Sequence, residues 1–268
     1  MKLFITTLGR INNQITWDRM PLALKERTIF VVSEKEAPKH KKRGRRILIC
    51  PYQGQNNLTK VRDWLLKYCL SKGYKSVLMM DDDIRFQIKK LDGKIVDCSE
   101  KEYIKGFKWI SKALKRYAHA GFAPRNFAWN FDGKYMEDTR ILQFLGYNLG
   151  VLKKHKLKFK EGMNTPTVSD INMALQLLKL GYANILSTKW RISSSKNNAP
   201  GGCSLYRNEE MNNQAAKDLC RLYPEFVKLR AKERKGRLKD KGQAIHYIIQ
   251  WKKALKSSGK RILLKGSP

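Results

Sequence analysis

The sequence lacks the phosphate-cradling signatures of common nucleotide enzymes. There is no Gly-x-x-x-x-Gly-Lys-Ser/Thr and no Gly-x-Gly-x-x-Gly, so neither a P-loop hydrolase nor a Rossmann dehydrogenase is indicated. Gly-x-Ser-x-Gly is also absent, which removes the nucleophile elbow of α/β-hydrolases. The five cysteines (Cys50, Cys69, Cys98, Cys203, Cys220) are scattered, form no Cys-x-x-Cys pair and do not cluster with the four histidines. A zinc site is therefore not expected, and a reducing setting is. No apolar run approaches membrane-spanning length. Leu3–Leu8 is interrupted by Thr6 and Thr7 and followed by Arg10, unlike a secretory h-region. These absences predict a soluble intracellular protein with no membrane partner.

Negative charge is scarce too. Among 268 residues, 23 Asp and Glu face 56 Lys and Arg, a formal net charge of +33. Such an excess implies a polyanionic partner, with nucleic acid first because basic surface is the footprint of phosphate binding. An anionic membrane surface is disfavoured by the lack of a long amphipathic helix dedicated to it. Hydrophobic residues, at 42%, suffice for a core. With no repeat and no clean linker, the chain reads as one α/β domain over 1–207 and a basic helical extension over 208–268.

What is present centres on Val77-Leu-Met-Met-Asp81-Asp-Asp83. The apolar run suits a strand buried on both faces, and three aspartates follow where it leaves the sheet. Adjacent carboxylates repel unless something positive neutralises them, and a hard divalent cation, Mg²⁺ or Mn²⁺, shared with substrate phosphates does so. Ligands of open α/β sheets bind at the carboxyl ends of strands.

Leu3–Leu8 predicts a first strand, with Gly9 turning the chain and Arg10 placed for a phosphate. Asn13–Trp17 reads as a binding loop and Pro21–Glu26 as a short helix. Thr28–Val32 predicts a strand ending near Glu34, whose carboxylate suits a ribose hydroxyl or base edge. Lys39–Arg46, with Lys41, Lys42, Arg43, Arg45 and Arg46, reads as a solvated basic loop suited to a nucleic-acid backbone. Ile47–Cys50, the helix Leu58–Ser71 ended by Gly73, and Lys75–Met80 form a βαβ unit, which argues for parallel strands. Asp92-Gly93 predicts a type I′ hairpin. A helix over Lys101–Ala118, strands at His119–Ala123 and Gln143–Leu152, a helix opened by Ser169 and closed by Gly181, and a strand at Ala183–Ser187 follow. The aromatic and Asn-rich stretch Pro124–Tyr135 suits a pocket wall. Trp190–Arg207, with Pro200-Gly-Gly202, suits a lid or acceptor loop. From Glu225 onward there are fourteen Lys and Arg against three acids, read as helical pieces with a basic face.

Asp81-Asp82-Asp83 after its strand resembles the Asp-x-Asp motif of GT-A fold glycosyltransferases, and Ser169-Asp170-Ile171-Asn172 heading an amphipathic helix is similar to their second acidic motif. The opening Thr-x-Gly-Arg with Gln14 and Thr16, the small size and the basicity resemble the TET/JBP-associated glycosyltransferases of bacteriophages. The resemblance covers roughly residues 1–190. It implies a GT-A-like, mostly parallel sheet flanked by helices. It also implies transfer of a sugar from a UDP-sugar to hydroxymethylated pyrimidines of double-stranded DNA, in the cytoplasm of an infected host. By the same resemblance Asp81 and Asp83 hold Mn²⁺ or Mg²⁺. Thr7, Gly9, Arg10, Glu34, Asp82 and Arg191 contact the donor, and Asp170 is the base. Basic surfaces that include Lys154 and Lys156 grip the DNA. The late metal-binding His of many GT-A enzymes has no counterpart in 190–207. Alternatives are a two-metal nuclease or nucleotidyltransferase, a non-catalytic nucleic-acid-binding protein, and a glycosyltransferase acting on lipid or polysaccharide.

Overall fold

Leu3, Phe4 and Ile5 are consecutive and all buried, which a strand achieves only when both faces of its sheet are covered. That strand is β1 (Lys2–Thr6). It pairs in parallel with β2 (Thr28–Val32) on one side and with β4 (Ser76–Asp81) on the other; β3 (Ile47–Ile49) extends the parallel block beyond β2. The computed structural model describes residues 1–125, 127, 133–160, 162–163, 167–194, 202–232 and 244–265.

Beyond β4 the sheet changes direction. β9 (Phe144–Asn148) runs antiparallel to β4, and β7 (His119–Pro124) antiparallel to β9. β10 (Asn184–Ser194) lies parallel to β7 and pairs antiparallel with β5 (Ile84–Lys89) and β8 (Tyr135–Glu137), and β6 (Ile95–Asp97) extends the sheet beyond β5. The result is a ten-stranded sheet flanked by helices, the α/β architecture expected from the βαβ pattern. β7 and β9 approach closely through glycine. A Cβ on Gly146 would lie 2.9 Å from the Ala120 carbonyl oxygen, and one on Gly121 would lie 2.2 Å from Ile141 Cγ2.

Side-chain alternation along β1 separates two apolar layers. Leu3 and Ile5 join Phe30, Leu78, Met80, Phe86 and Phe144 beneath α5 (Glu100–Ala113). Phe4 joins Val31, Met79 and Tyr147 beneath α4 (Leu58–Ser71), α6 (Leu149–Lys154) and α7 (Ser169–Lys179). The first layer also takes in α1 (Ile15–Asp18), α2 (Leu22–Lys25) and α3 (Ala37–Lys41) through Trp17, Met20, Leu24 and Ala37. A third cluster covers the outer side of α7, where Ile171, Leu175 and Leu178 meet Leu219 and Phe226. It is supplied by α8 (Glu209–Leu222), the antiparallel ribbon β11 (Val227–Lys232) and β12 (Ala244–Ile249), and α9 (Trp251–Lys256).

Several expectations are corrected. The extension is not wholly helical. Val227, Leu229 and Ala231 alternate with Lys228, Arg230 and Lys232, a period of two that favours the ribbon. The strand expected over Gln143–Leu152 stops at Asn148, whose side chain accepts from the Val151 N–H and caps α6. The basic stretch after β2 is helical over Ala37–Lys41 because His40 turns inward. The strand expected over Ala183–Ser187 continues to Ser194 after a register shift between Ser187 and Arg191. At the hairpin only Gly93 has positive φ (+81°) and the Lys90 N–H donates to the Lys94 carbonyl. This is a three-residue loop closed by a left-handed glycine, not a type I′ turn. Residues 126, 128–132 and 195–201, within the expected pocket wall and lid, lie outside the described residues.

Candidate active site

Because β1 and β4 are parallel neighbours with Thr6 beside Asp81, their carboxyl ends emerge level with each other. The Thr7–Arg10 turn therefore meets the Asp82-Asp83 turn. Asp82 is 3% exposed and both its oxygens are committed: Oδ2 accepts from the Thr7 hydroxyl at 2.5 Å and Oδ1 from Arg10 Nη1 at 2.5 Å. The same Arg10 nitrogen is 3.2 Å from Asp83 Oδ2. Gly9, at φ +71°, gives its N–H to Glu36 Oε1 at 2.8 Å. The loop residue that touches this turn is thus Glu36, while Glu34 is exposed to solvent beyond β2.

Within residues 13–17, expected as a binding loop, Gln14 and Thr16 are buried and brace the acidic turn, while Asn13 stays exposed. Gln14 Nε2 donates to Thr7 Oγ1 and to the Arg10 carbonyl, each at 2.7 Å. The Thr16 hydroxyl donates to the Asp81 carbonyl at 2.7 Å and accepts from the Ile84 N–H at 2.8 Å; the Thr16 N–H donates to the Asp82 carbonyl. Gln53 Nε2 donates to the Thr7 carbonyl from the turn after β3. The conformation of Asp81–Asp83 is fixed from three sides.

Arg62, on α4, is the residue sequence reasoning missed. It is 4% exposed, 3.5 Å from Asp81 Oδ1 and 3.9 Å from Asp170 Oδ2, and Nη1 donates to Ser169 Oγ at 3.1 Å. One guanidinium thus joins the acidic strand end to the acid at the start of α7. Its signal was present: Arg62 stands three, four and seven residues before Leu65, Leu66 and Cys69, so a cation sits on the apolar stripe of the helix. Ser169 does not cap α7: it is the first helical residue, and its hydroxyl accepts from Arg62. The N-cap is Val168 at φ +55°, ψ +22°, a left-handed conformation costly for a β-branched residue.

Burial, reinforced by Asp83, Asp82 and Asp170 and opposed by Arg62, raises the Asp81 carboxyl to about 7. Burial also raises Asp82, against the pull of Arg10 and Thr7. Burial works against the Arg62 charge, yet Asp170 and Asp81 outweigh it and hold the guanidinium above its ordinary value. The site is a chain of alternating charge, Asp83–Arg10–Asp82 on one side and Asp81–Arg62–Asp170 on the other.

A short 3₁₀ turn, Gly202–Leu205, closes the rim. The Gly202 N–H donates to the Leu8 carbonyl at 2.8 Å, and a Cβ there would lie 3.5 Å from the Arg10 guanidinium. The Tyr206 hydroxyl accepts from the Leu58 N–H at the start of α4 and donates to Cys203 Sγ.

Other expected contacts are corrected. Arg191 is fully buried, and its guanidinium donates to the carbonyls of Thr188, Arg125 and Phe127. It ties backbone together and is not a phosphate clamp. Arg45 is 9% exposed, donates to the Ile11 carbonyl and lies over the Phe30 ring, so it is withdrawn from any nucleic-acid surface. Lys41, Lys42, Arg43 and Arg46 are not withdrawn in this way; Arg43 donates to Asn12 and Arg46 to the Glu26 carbonyl. Lys154 and Lys156 flank His155, which contacts the Tyr182 hydroxyl ahead of β10. That is the amino end of the parallel strands, opposite the aspartates.

Asp81 and Asp83 keep 27% and 15% of their side chains accessible, whereas Asp82 has no oxygen to spare. Among the described residues no group of three or more His, Cys, Asp or Glu is arranged to hold a metal. Two hard oxygen donors and no softer ligand fit Mg²⁺ or Mn²⁺ completed by water and phosphate oxygens, and do not fit zinc. Among the described residues no helix is long and apolar enough to cross a membrane.

The model of the TET-Associated Glycosyltransferase family matches residues 1–201. The Beta-glucosyl-HMC-alpha-glucosyl-transferases of Enterobacteria phages T2 and T6 are each 24% identical over 159 residues, 56% of this chain and 56% of theirs. The chain thus spans about half the length of the curated relatives it matches. Among solved structures, A197 from STIV aligns with a TM-score of 0.41 at 10% identity, over 74% of this chain and 87% of that one. The mannose-1-phosphate geranyltransferase from Thermus thermophilus aligns with a TM-score of 0.35 at 13% identity, over 72% and 57%.

Proposed function

The chain belongs to the TET-associated glycosyltransferase family, and from that premise we propose that it moves a sugar from a UDP-sugar to the hydroxymethyl group of a modified pyrimidine in DNA. One observation carries the reading. Asp81 and Asp83 stand at the carboxyl end of β4, level with that of its parallel neighbour β1, and Arg62 links Asp81 to a second carboxylate, Asp170. The acceptor is supported by the T2 and T6 relatives, named for transfer onto glucosyl-HMC, and by the net charge of +33.

In this mechanism Asp81 and Asp83 would hold Mn²⁺ or Mg²⁺, which would supply Lewis-acid stabilisation to a diphosphate leaving group. Thr7, Gln14 and Arg10 keep Asp82 and the turn rigid, so the two outer carboxylates stay aimed at the donor. Asp170 takes the proton of the acceptor hydroxyl as its oxygen bonds to the anomeric carbon and the bond from that carbon to the diphosphate breaks. Arg62, 3.9 Å from Asp170 Oδ2, keeps that carboxylate beside the acidic strand end. The test is mass spectrometry of hydroxymethylated DNA after incubation with a panel of UDP-sugars and Mn²⁺. A mass increase of one sugar per modified base is expected, with plain DNA left unchanged and uncut. No mass shift with any donor overturns the reading, and cleavage of plain DNA points to a nuclease instead.

The Asp81 carboxyl gives a second expectation. Its value in the fold, about 7, lies above the ordinary 3.8, so between these values the folded chain holds a proton that the unfolded chain has released. Stability from this group therefore falls as pH rises from about 4 to 7. A cation replaces that proton. Mn²⁺ is expected to raise the thermal unfolding midpoint at pH 7.5 and to do little at pH 5, read by scanning fluorimetry with Asp81→Asn as reference. An equal shift at both pH values would contradict the assignment.

A further inference from the structure

The C-terminal ribbon is built asymmetrically. In register, Lys228 faces Ile248 and Arg230 faces His246, and all four side chains are exposed. Val227 is buried and Tyr247 and Ile249 are half-buried on the opposite side, packed into the cluster on α7. That cluster includes Val168 and Ile171, the residues flanking Ser169 and Asp170. The ribbon is further tied down where the Ile245 N–H donates to Asn213 Oδ1 at 2.9 Å, in the first turns of α8. A two-stranded element with a cationic outer face is thus anchored beside the residue proposed to receive the acceptor's proton. It lies outside residues 1–201, the part matched by the family. The Asp170 carboxylate contributes to raising the Tyr247 hydroxyl above its ordinary value, after burial, which agrees with this closeness.

We infer that the outer face of β11–β12 docks double-stranded DNA in its major groove and so presents the acceptor base to Asp170. The inference rests on the DNA-acceptor reading above. Its physical basis is size and charge. The major groove of B-DNA, about 12 Å wide, admits a two-stranded ribbon, and substituents on pyrimidine C5 project into that groove. Lys228 and Arg230 would then meet phosphates along the groove edge, and Ile248, opposite Lys228 on the other strand, gives the face an apolar contact for the base edges. No comparable placement exists for Lys154 and Lys156, which lie at the other end of the sheet.

The test uses the full chain and fluorescence anisotropy with a duplex oligonucleotide over 50–200 mM salt. The double substitution Lys228→Glu/Arg230→Glu is expected to weaken duplex binding at least tenfold. It should also flatten the plot of log affinity against log salt by about 1.8, the loss of two phosphate contacts at about 0.9 each. UDP binding in the presence of Mn²⁺ should be unchanged, which shows that the variant is folded. Lys228→Gln/Arg230→Gln should give the same flattening with a smaller affinity loss. Lys108→Glu/Lys112→Glu on α5, which covers the opposite face of the sheet, should alter neither quantity. Parental affinity and slope in the ribbon variant overturn the inference, as does tighter parental binding to a single strand than to the duplex. A parent that binds duplex through the ribbon yet transfers no sugar to hydroxymethylated DNA overturns the acceptor reading alone. A parent that transfers sugar while the ribbon variant keeps full affinity overturns the ribbon alone.

Discussion

Asparagine in place of Asp83 is expected to lower sugar transfer by about 10²–10³-fold while leaving the fold intact, the scale on which removal of one preorganised electrostatic group acts. The substitution keeps size and one oxygen but removes the negative charge. Asp83 touches Arg10 at 3.2 Å and keeps an accessible edge, so the loss falls on what that edge binds. Asp82→Asn makes the contrast. Its oxygens are both committed to Thr7 and Arg10, so the same chemical change there should first lower stability. Turnover at saturating Mn²⁺, with circular dichroism and thermal unfolding alongside, separates the two. Full transfer by Asp83→Asn would remove the metal from the mechanism.

Arg62→Met is expected to be the most damaging single change outside the aspartates. Methionine keeps an unbranched apolar stem, but Asp81, Asp170 and Ser169 lose their shared partner in a buried place. Removing one member of a buried ionic set typically costs about 3–5 kcal/mol. Urea unfolding should show that loss at pH 7.5 and less of it at pH 5, where the Asp81 carboxyl, raised by burial, holds a proton. Arg62→Lys should recover part of the stability, since a single ammonium cannot serve both carboxylates with the reach of a guanidinium. A methionine variant within about 1 kcal/mol of the parent at both pH values would show that Arg62 does not hold the two carboxylates together.

The strands near the site and their parallel sense are legible because buried parallel strands announce themselves as short apolar runs, but their order is not: β1 and β2 lie between β3 and β4. Leu3–Thr6, Thr28–Val32 and Val77–Met80 read directly, and the helix between Ile49 and Ser76 implied the crossover. The pairing of β4 with β9 was not legible, since β9 in turn meets β7 where Gly146 and Gly121 let two backbones approach, and closeness in space has no periodicity in sequence. The alternation of Val227–Lys232 is legible as a strand once the run is read by its period and not by its charge. At the site the three aspartates, Thr7, Arg10 and Asp170 are legible. Arg191 resembles a clamp by its charge alone, and burial decides otherwise. The linking role of Arg62 and the bracing role of Gln14 and Thr16 are not legible, because what these residues do lies in whom they face across the fold.

The order of strands across the sheet also bears on how the chain is made. β4 finds β1 as soon as it leaves the ribosome, but its other edge must wait for Phe144, the partner of Met80, roughly 64 residues later. At about 5–20 residues per second that interval lasts about 3–13 s. Throughout it, an apolar strand edge carrying Val77–Met80 stands open to any passing strand. Synthesis at low temperature or from slow codons between these points lengthens the exposure. Soluble yield should therefore depend on translation speed over residues 81–143 more than on speed elsewhere in the chain.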